Sequence, residues 1–147
     1  MRISAKGEYA IRAMLDLALH HRQGTPGLVP IQDVARRQAI PQRYLEQVLL
    51  LLKRAGLLGS KRGSSGGYRL ARPPEQITAG DVLRAIEGGL TPLEVAGRRA
   101  RDAGRDLAEL WEEVAEAVAK VLDRTTLHDL AERAAARRSP GRTMYHI

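Results

Sequence analysis

The chain has 147 residues, 44% of them hydrophobic, with no Phe, one Trp, no Cys and a formal net charge of +7. This length suits one domain, or a small domain with an appended dimerisation element, and a core of Leu, Val, Ile and Ala favours packed helices over a β-sandwich. The lack of Cys excludes a disulfide framework, a thiolate metal site and a thiol switch; with no long apolar run, and no apolar signal segment in the opening MRISAKGEYA, a soluble, cytoplasmic protein is expected.

The first predicted helix runs from Lys6 to His21. Tyr9, Ala10, Ala13, Met14, Leu17 and Ala18 form one apolar stripe, and Ile11, Leu15 and Leu19 form a second beside it, so two sides of this helix should be covered. The stretch Arg22–Pro30 is a loop, punctuated by Gly24, Pro26, Gly27 and Pro30. A short helix is expected over Ile31–Gln38, a tight turn over Ala39–Pro41, and a longer helix over Gln42–Ala55 with Gly56 as its C-terminal stop. Ala35 and Ala39 are small where two helices would cross, and Ile40, Leu45 and Val48 point inward. This spacing fits a helix-turn-helix, although an ordinary helical hairpin would share it.

The outward face of the second helix favours nucleic acid. Gln42, Arg43, Glu46, Gln47, Lys53 and Arg54 are hydrogen-bonding or cationic groups able to meet base edges and phosphates. Glu46 is the most informative: a carboxylate beside phosphates is best tolerated where it accepts from cytosine N4, the other reading being an intrahelical pair with Arg43 or a neighbour of Arg54. The charge distribution agrees. Residues 1–72 hold 13 Lys and Arg against 4 Asp and Glu, whereas residues 73–147 hold 11 against 13, so the front half is the one suited to a polyanion.

Next, LLGSKRGSSGGYRLAR reads as a β-hairpin, with strands Leu58–Arg62 and Gly67–Leu70 around a Gly/Ser tip. Lys61 and Arg62 lie on one arm, Arg69 and Arg72 on or after the other. The small residues Gly63, Ser64 and Ser65 allow close backbone approach to a surface, and Arg62 is placed to enter a narrow minor groove. The tip lacks the residue order of a phosphate-binding loop. A hairpin directly after a recognition helix is a wing.

Beyond the stiff connector 72–76, Thr78 and Asp81 predict a capping box opening a short helix to Glu87. Gly88–Gly104 reads as irregular. A long amphipathic helix over Asp106–Asp123 carries a seam of Leu107, Leu110, Trp111, Val114, Val118, Val121 and Leu122. That seam suits a two-helix dimer interface; it could also cover the second stripe of the first helix, or pack wholly within its own domain. Thr126, with Asp129, caps a last helix to Arg138, and Ser139–Ile147 is a tail. The expected architecture is mainly α with a small β-hairpin: a winged helix-turn-helix domain (1–72), connector and dimerisation helices (73–138) and a C-terminal tail (139–147).

The runs MRISAKGEYAIRAMLDLA, YLEQVLLLLKRAGLL and SKRGSSGGYRL resemble the Rrf-two (Rrf2) family of bacterial winged-helix regulators over nearly the whole chain. The resemblance implies a homodimer, joined through the long C-terminal helix, on palindromic double-stranded DNA, with the recognition helix in the major groove and the wing in the minor groove. It assigns Tyr44, Glu46 and Gln47 to the recognition motif, Arg62 and Gly63 to the wing, and Arg2, Ser4 and Lys6 to backbone contacts. Many members hold an iron–sulfur cluster on three Cys in the segment matching Gly88–Gly104; without Cys, and with Glu8 alone at a matching ligand position, no cluster is expected here. The stretches ITAGDVLRAIEG and LDRTTLHDLA are similar to a Cys-free branch that governs cysteine metabolism and is regulated by complexing with cysteine synthase. In that light the terminal Tyr145, His146 and Ile147 are a candidate partner-binding tail, since serine acetyltransferases dock a C-terminal Ile in the active site of that enzyme; an arbitrary apolar terminus is the other reading.

No catalytic residue, metal or cofactor is expected. The four His, at 20, 21, 128 and 146, lack metal-ligand spacing, and there is neither a G-x-S-x-G motif nor a carboxylate pair in an apolar surround. The function implied is a sequence-specific DNA-binding transcription regulator, a repressor, and not an enzyme. The rival is a non-specific nucleic-acid-binding winged-helix module, chromosome-associated or RNA-binding, which would show a steep salt dependence and little sequence discrimination.

Overall fold

Helix α1 (Ala5–Arg22) is the axis on which the other elements are assembled. The computed structural model describes residues 4–22, 27–87 and 104–138; Arg2, Gly24 and Pro26, residues 88–103, and the tail with Tyr145, His146 and Ile147 lie outside the described residues. After α1 come α2 (Ile31–Gln38), α3 (Gln42–Arg54), strands β1 (Leu58–Lys61) and β2 (Gly67–Leu70), a 3-10 turn (Pro74–Gln76), α4 (Ala79–Ile86), α5 (Arg105–Arg124) and α6 (Leu127–Arg138). The architecture is the expected one, mainly helical with, among the described residues, a single antiparallel hairpin.

The caps explain the boundaries. α3 ends where Gly56, at φ +80, donates to Lys53 O and Leu57 donates to Leu52 O, a left-handed stop that Gly adopts without strain. At Thr78 and Asp81, and again at Thr126 and Asp129, reciprocal hydrogen bonds of 3.0 Å open α4 and α6.

The core runs through α1 (Ala10, Met14, Leu17), α2 (Val34), α3 (Leu45, Leu49, Leu52) and on to Ile77, Val82, Leu127 and Ala131. α4 and α6 lie against α1, while the long helix α5 packs chiefly on α4. The cause is local. Ala79 N donates to Thr125 O and Leu127 N to Ile77 O, both at 2.8 Å, so the start of α6 is stapled to the start of α4 and turned back onto the core. At the same junction the Arg84 guanidinium makes two 2.8 Å bonds to Asp123, and a Cβ on Gly80 would collide with that carboxylate.

Candidate nucleic-acid interface

The turn between α2 and α3 is set by one backbone conformation. Ala39 takes φ 53 and ψ 47, left-handed, and donates to Arg36 O while Ile40 donates to Ala35 O. The chain therefore reverses in two residues. Ile40 enters the core, and Pro41 precedes an α3 whose Leu45, Val48, Leu49 and Leu52 are buried.

α1 clamps this pair from behind. Asp16, a buried carboxylate, accepts from Arg37 Nε and Nη2 at 3.0 and 2.9 Å and from Gln38 Nε2 at 3.2 Å. The hydrogen bond to Asp16 raises the Arg37 pKa further above its ordinary value, so this charge is permanent. One turn earlier, Arg12 donates to the Gln38 carbonyl and stands 5.5 Å from the centroid of the Tyr9 ring. Tyr9 in turn meets Tyr44 edge-to-face at 5.2 Å. Tyr44, which sequence matching placed in the recognition motif, is half-buried, so its ring also serves to seat the first turn of α3. Asp16 and Arg12 were not singled out from sequence; an Asp within an apolar helix face was the available signal.

The outward face of α3 is as expected. Gln42, Arg43, Glu46, Gln47, Lys53 and Arg54 are all exposed, and among the described residues none of the charged ones makes an ion pair within the chain. The intrahelical partner considered for Glu46 is thus not engaged. Four cations elsewhere are paired with carboxylates on neighbouring or the same elements: Arg37 with Asp16, Arg22 with Glu132, Arg84 with Asp123, Arg36 with Asp33. One exposed residue in the α3 stripe escaped sequence reading. Leu50 lies within the run of four Leu 49–52, where apolar periodicity cannot tell inside from outside, and it is 44% exposed.

The wing pairs Leu58 with Leu70 and Lys61 with Gly67. β1 stops at Lys61, one residue short of the expected run, so Arg62 belongs to the tip, with exposed Gly63, Ser64 and Ser65. The tip turns on the Gly66 N to Gly63 O bond, with Gly63 at φ +111. A third segment, invisible to hairpin logic, braces the wing: Val29 and Tyr68 exchange two 2.8 Å backbone bonds. The approach is so close that a Cβ on Gly67 would strike the Val29 carbonyl.

Of the N-terminal positions, Lys6 is half-buried and makes no ion pair with another described residue, whereas Ser4 is employed within the chain. Its Oγ accepts from Gly7 N–H at 3.0 Å and donates to Glu87 at 2.8 Å. At the other end, α5 buries no residue: Leu107, Leu110 and Val121 are each 47% exposed and Trp111 40%, with Val114, Val118 and Leu122 half-buried. No group of three or more metal-ligating side chains occurs among the described residues, and none of the described helices is long and apolar enough to cross a membrane.

A profile of Rrf2, described as iron-dependent transcriptional regulator, matches residues 3–133. The chain is 42% identical over 131 residues to the HTH-type transcriptional regulator CymR of Bacillus subtilis, covering 89% of this chain and 90% of the relative. It is 38% identical over 132 residues to the HTH-type transcriptional regulator IscR of Aliivibrio salmonicida, covering 88% and 77%. The solved structure of CymR (YrzC), the global cysteine regulator of B. subtilis, is similar at a TM-score of 0.77 and 40% identity, covering 90% of this chain and 98% of the other.

Proposed function

Since the chain belongs to the Rrf2 family of transcriptional regulators and is not an enzyme, we propose that it is a homodimeric, sequence-specific DNA-binding repressor acting on a palindromic operator. One observation carries this reading. The cations of α3 and the wing, Arg43, Lys53, Arg54, Lys61, Arg62 and Arg69, are all exposed, and none of them forms an ion pair with another described residue. Phosphates are the natural counter-charge for such a surface.

In this reading residues 1–72 are the DNA-binding unit, 73–138 the connector and dimerisation helices, and 139–147 the tail. Gln42, Arg43, Glu46 and Gln47 read bases in the major groove, and Lys6, Lys53, Arg54 and Lys61 fix the backbone with Arg2, and with Ser4 once its hydroxyl turns from Glu87 to a phosphate. Arg62, carried on the tip with Gly63, Ser64 and Ser65, enters the minor groove. The two recognition helices of a dimer would lie about 34 Å, or a small multiple of that, apart on one face of the duplex. No iron–sulfur cluster takes part. The irons of such clusters are held chiefly by Cys thiolates, and the donor set of this chain, with no Cys and an isolated Glu8 in the first turn of α1, does not fit the iron dependence of the family description.

The likeness to CymR supports a regulon in cysteine metabolism, and the tail Tyr145, His146 and Ile147 supports cysteine synthase as the partner that modulates it. Removing residues 145–147 should abolish binding to that enzyme; undiminished binding would remove the partner from the scheme.

The test of the whole reading is selection of duplexes from a randomised pool. A regulator should prefer its selected site over unrelated DNA by about a thousandfold or more, Glu46→Ala should relax base preference without loss of non-specific affinity, and Arg62→Ala should cost about 1–3 kcal/mol. Uniform affinity with a steep salt slope would instead identify a non-specific nucleic-acid binder.

A further inference from the structure

The exposed apolar residue in the middle of α3 has a use that the polar readout does not supply. Leu50 is 44% exposed, and among the described residues the other large exposed apolar side chains all lie on α5. Its neighbours three and four residues away on the helix surface are Glu46, Gln47, Lys53 and Arg54, all exposed. The inner face of α3 is already complete with Leu45, Val48, Leu49 and Leu52, so Leu50 has no role in the core. A lone Leu ringed by charged and amide groups is too small an apolar patch to seat a protein partner. It does match a single methyl group presented among hydrogen-bonding groups. In the major groove that group is the C5 methyl of thymine, the one apolar feature of the base-pair edges there.

We infer that Leu50 is a specificity-determining residue that selects a thymine in the operator through contact with its C5 methyl. The inference rests on the proposed placement of α3 in the major groove. It also fixes a position: Leu50 follows Glu46 by one helical turn, about 5.4 Å along the axis, against about 3.4 Å per base pair. The thymine therefore lies within about two base pairs of the one whose identity Glu46 reads.

The experiment uses the full chain and a duplex selected by it from a randomised pool. Each thymine of the selected site is replaced in turn by deoxyuridine, which keeps every hydrogen-bonding group and deletes only the methyl. One replacement per half-site, within about two base pairs of the position relaxed by Glu46→Ala, should weaken wild-type binding about fourfold, the value of one buried methyl. Leu50→Ala should bind the thymine and deoxyuridine duplexes equally, while Glu46→Ala keeps the discrimination. A selected site in which every thymine is replaceable without loss, or one where Leu50→Ala discriminates as well as the wild type, overturns the inference and leaves the regulator reading intact. Failure to select any site overturns both.

Discussion

Arg37 and Asp16 join α2 to α1 through two nearly parallel hydrogen bonds of 3.0 and 2.9 Å, with the carboxylate side chain 5% exposed and the guanidinium 39%. The asymmetry of burial makes the two halves of the pair unequal. Arg37→Ala strands a buried charge with only Gln38 as a donor, a loss of about 3 kcal/mol. Asp16→Asn leaves a guanidinium that can turn to water, at about 1–2 kcal/mol. Urea denaturation of both variants measures the difference, and an Asp16→Asn loss equal to or larger than that of Arg37→Ala would show that the pair is not the clamp described.

Ala39 holds a left-handed conformation at φ 53, the one non-glycine residue at positive φ among the described residues. An L-residue with a Cβ is strained there by about 1–2 kcal/mol, and the greater freedom of unfolded Gly returns part of that. Ala39→Gly should therefore stabilise the protein by about 0.5–1 kcal/mol in the same denaturation assay, with operator affinity unchanged because Ala39 is exposed and its turn already formed. A destabilised variant would mean that the Cβ makes a contact worth more than the strain.

Most of the element order was legible in the sequence, because its signals are local. Thr78 with Asp81, Thr126 with Asp129, Gly56 after α3 and the Gly/Ser tip each act within a few residues of the boundary they set. What escaped is long-range. Val29 joins Tyr68 across nearly forty positions of chain through backbone groups that carry no side-chain signature. Asp16 and Arg12 act on α2 from α1, and the choice of α6 over α5 as cover for α1 depends on the bonds between Ile77–Ala79 and Thr125–Leu127. At the interface, the polar residues of α3 could be read from their chemistry. Leu50 could not, since within a run of four Leu periodicity does not separate a core position from an outward one.

Three carboxylates predict how acid acts on the C-terminal helices. The Arg84 hydrogen bonds hold Asp123 below the usual carboxylate range, the backbone N–H of Thr126 does so for Asp129, and Arg22 for Glu132. A pKa lower in the folded than in the unfolded chain means that the unfolded chain binds the proton more readily. The stability contributed is complete above the unfolded values, about pH 4, and is lost as pH falls through the lower folded values. These contacts join α5 to α4, cap α6 and tie α6 to α1. Denaturation midpoints should fall on acidification below about pH 4, and the gap between wild type and Asp123→Asn should narrow over that range. A gap that widens with acid would have the opposite sign and sink the assignment.

Trp111 is the sole Trp of the chain, which makes it a reporter for the fate of the α5 seam. In the single chain it is 40% exposed, beside Leu107 and Leu110 at 47% each, although each such side chain is worth about 1.5–3 kcal/mol when buried. If two copies bury this seam against each other, Trp111 emission shifts to the blue as protein concentration rises, and sedimentation gives a mass twice that of the chain. Trp111→Glu places a charge in the seam and should yield a monomer that keeps its helical circular dichroism, since the core of α1–α4 does not use α5 residues. Each monomer then meets one half-site alone, so operator affinity should fall about a hundredfold or more as the linkage between half-sites is lost, while affinity for an isolated half-site stays unchanged. A Trp111→Glu protein that remains dimeric, or an emission maximum independent of concentration, would assign dimerisation to another surface and leave the exposed seam of α5 to be covered by something else.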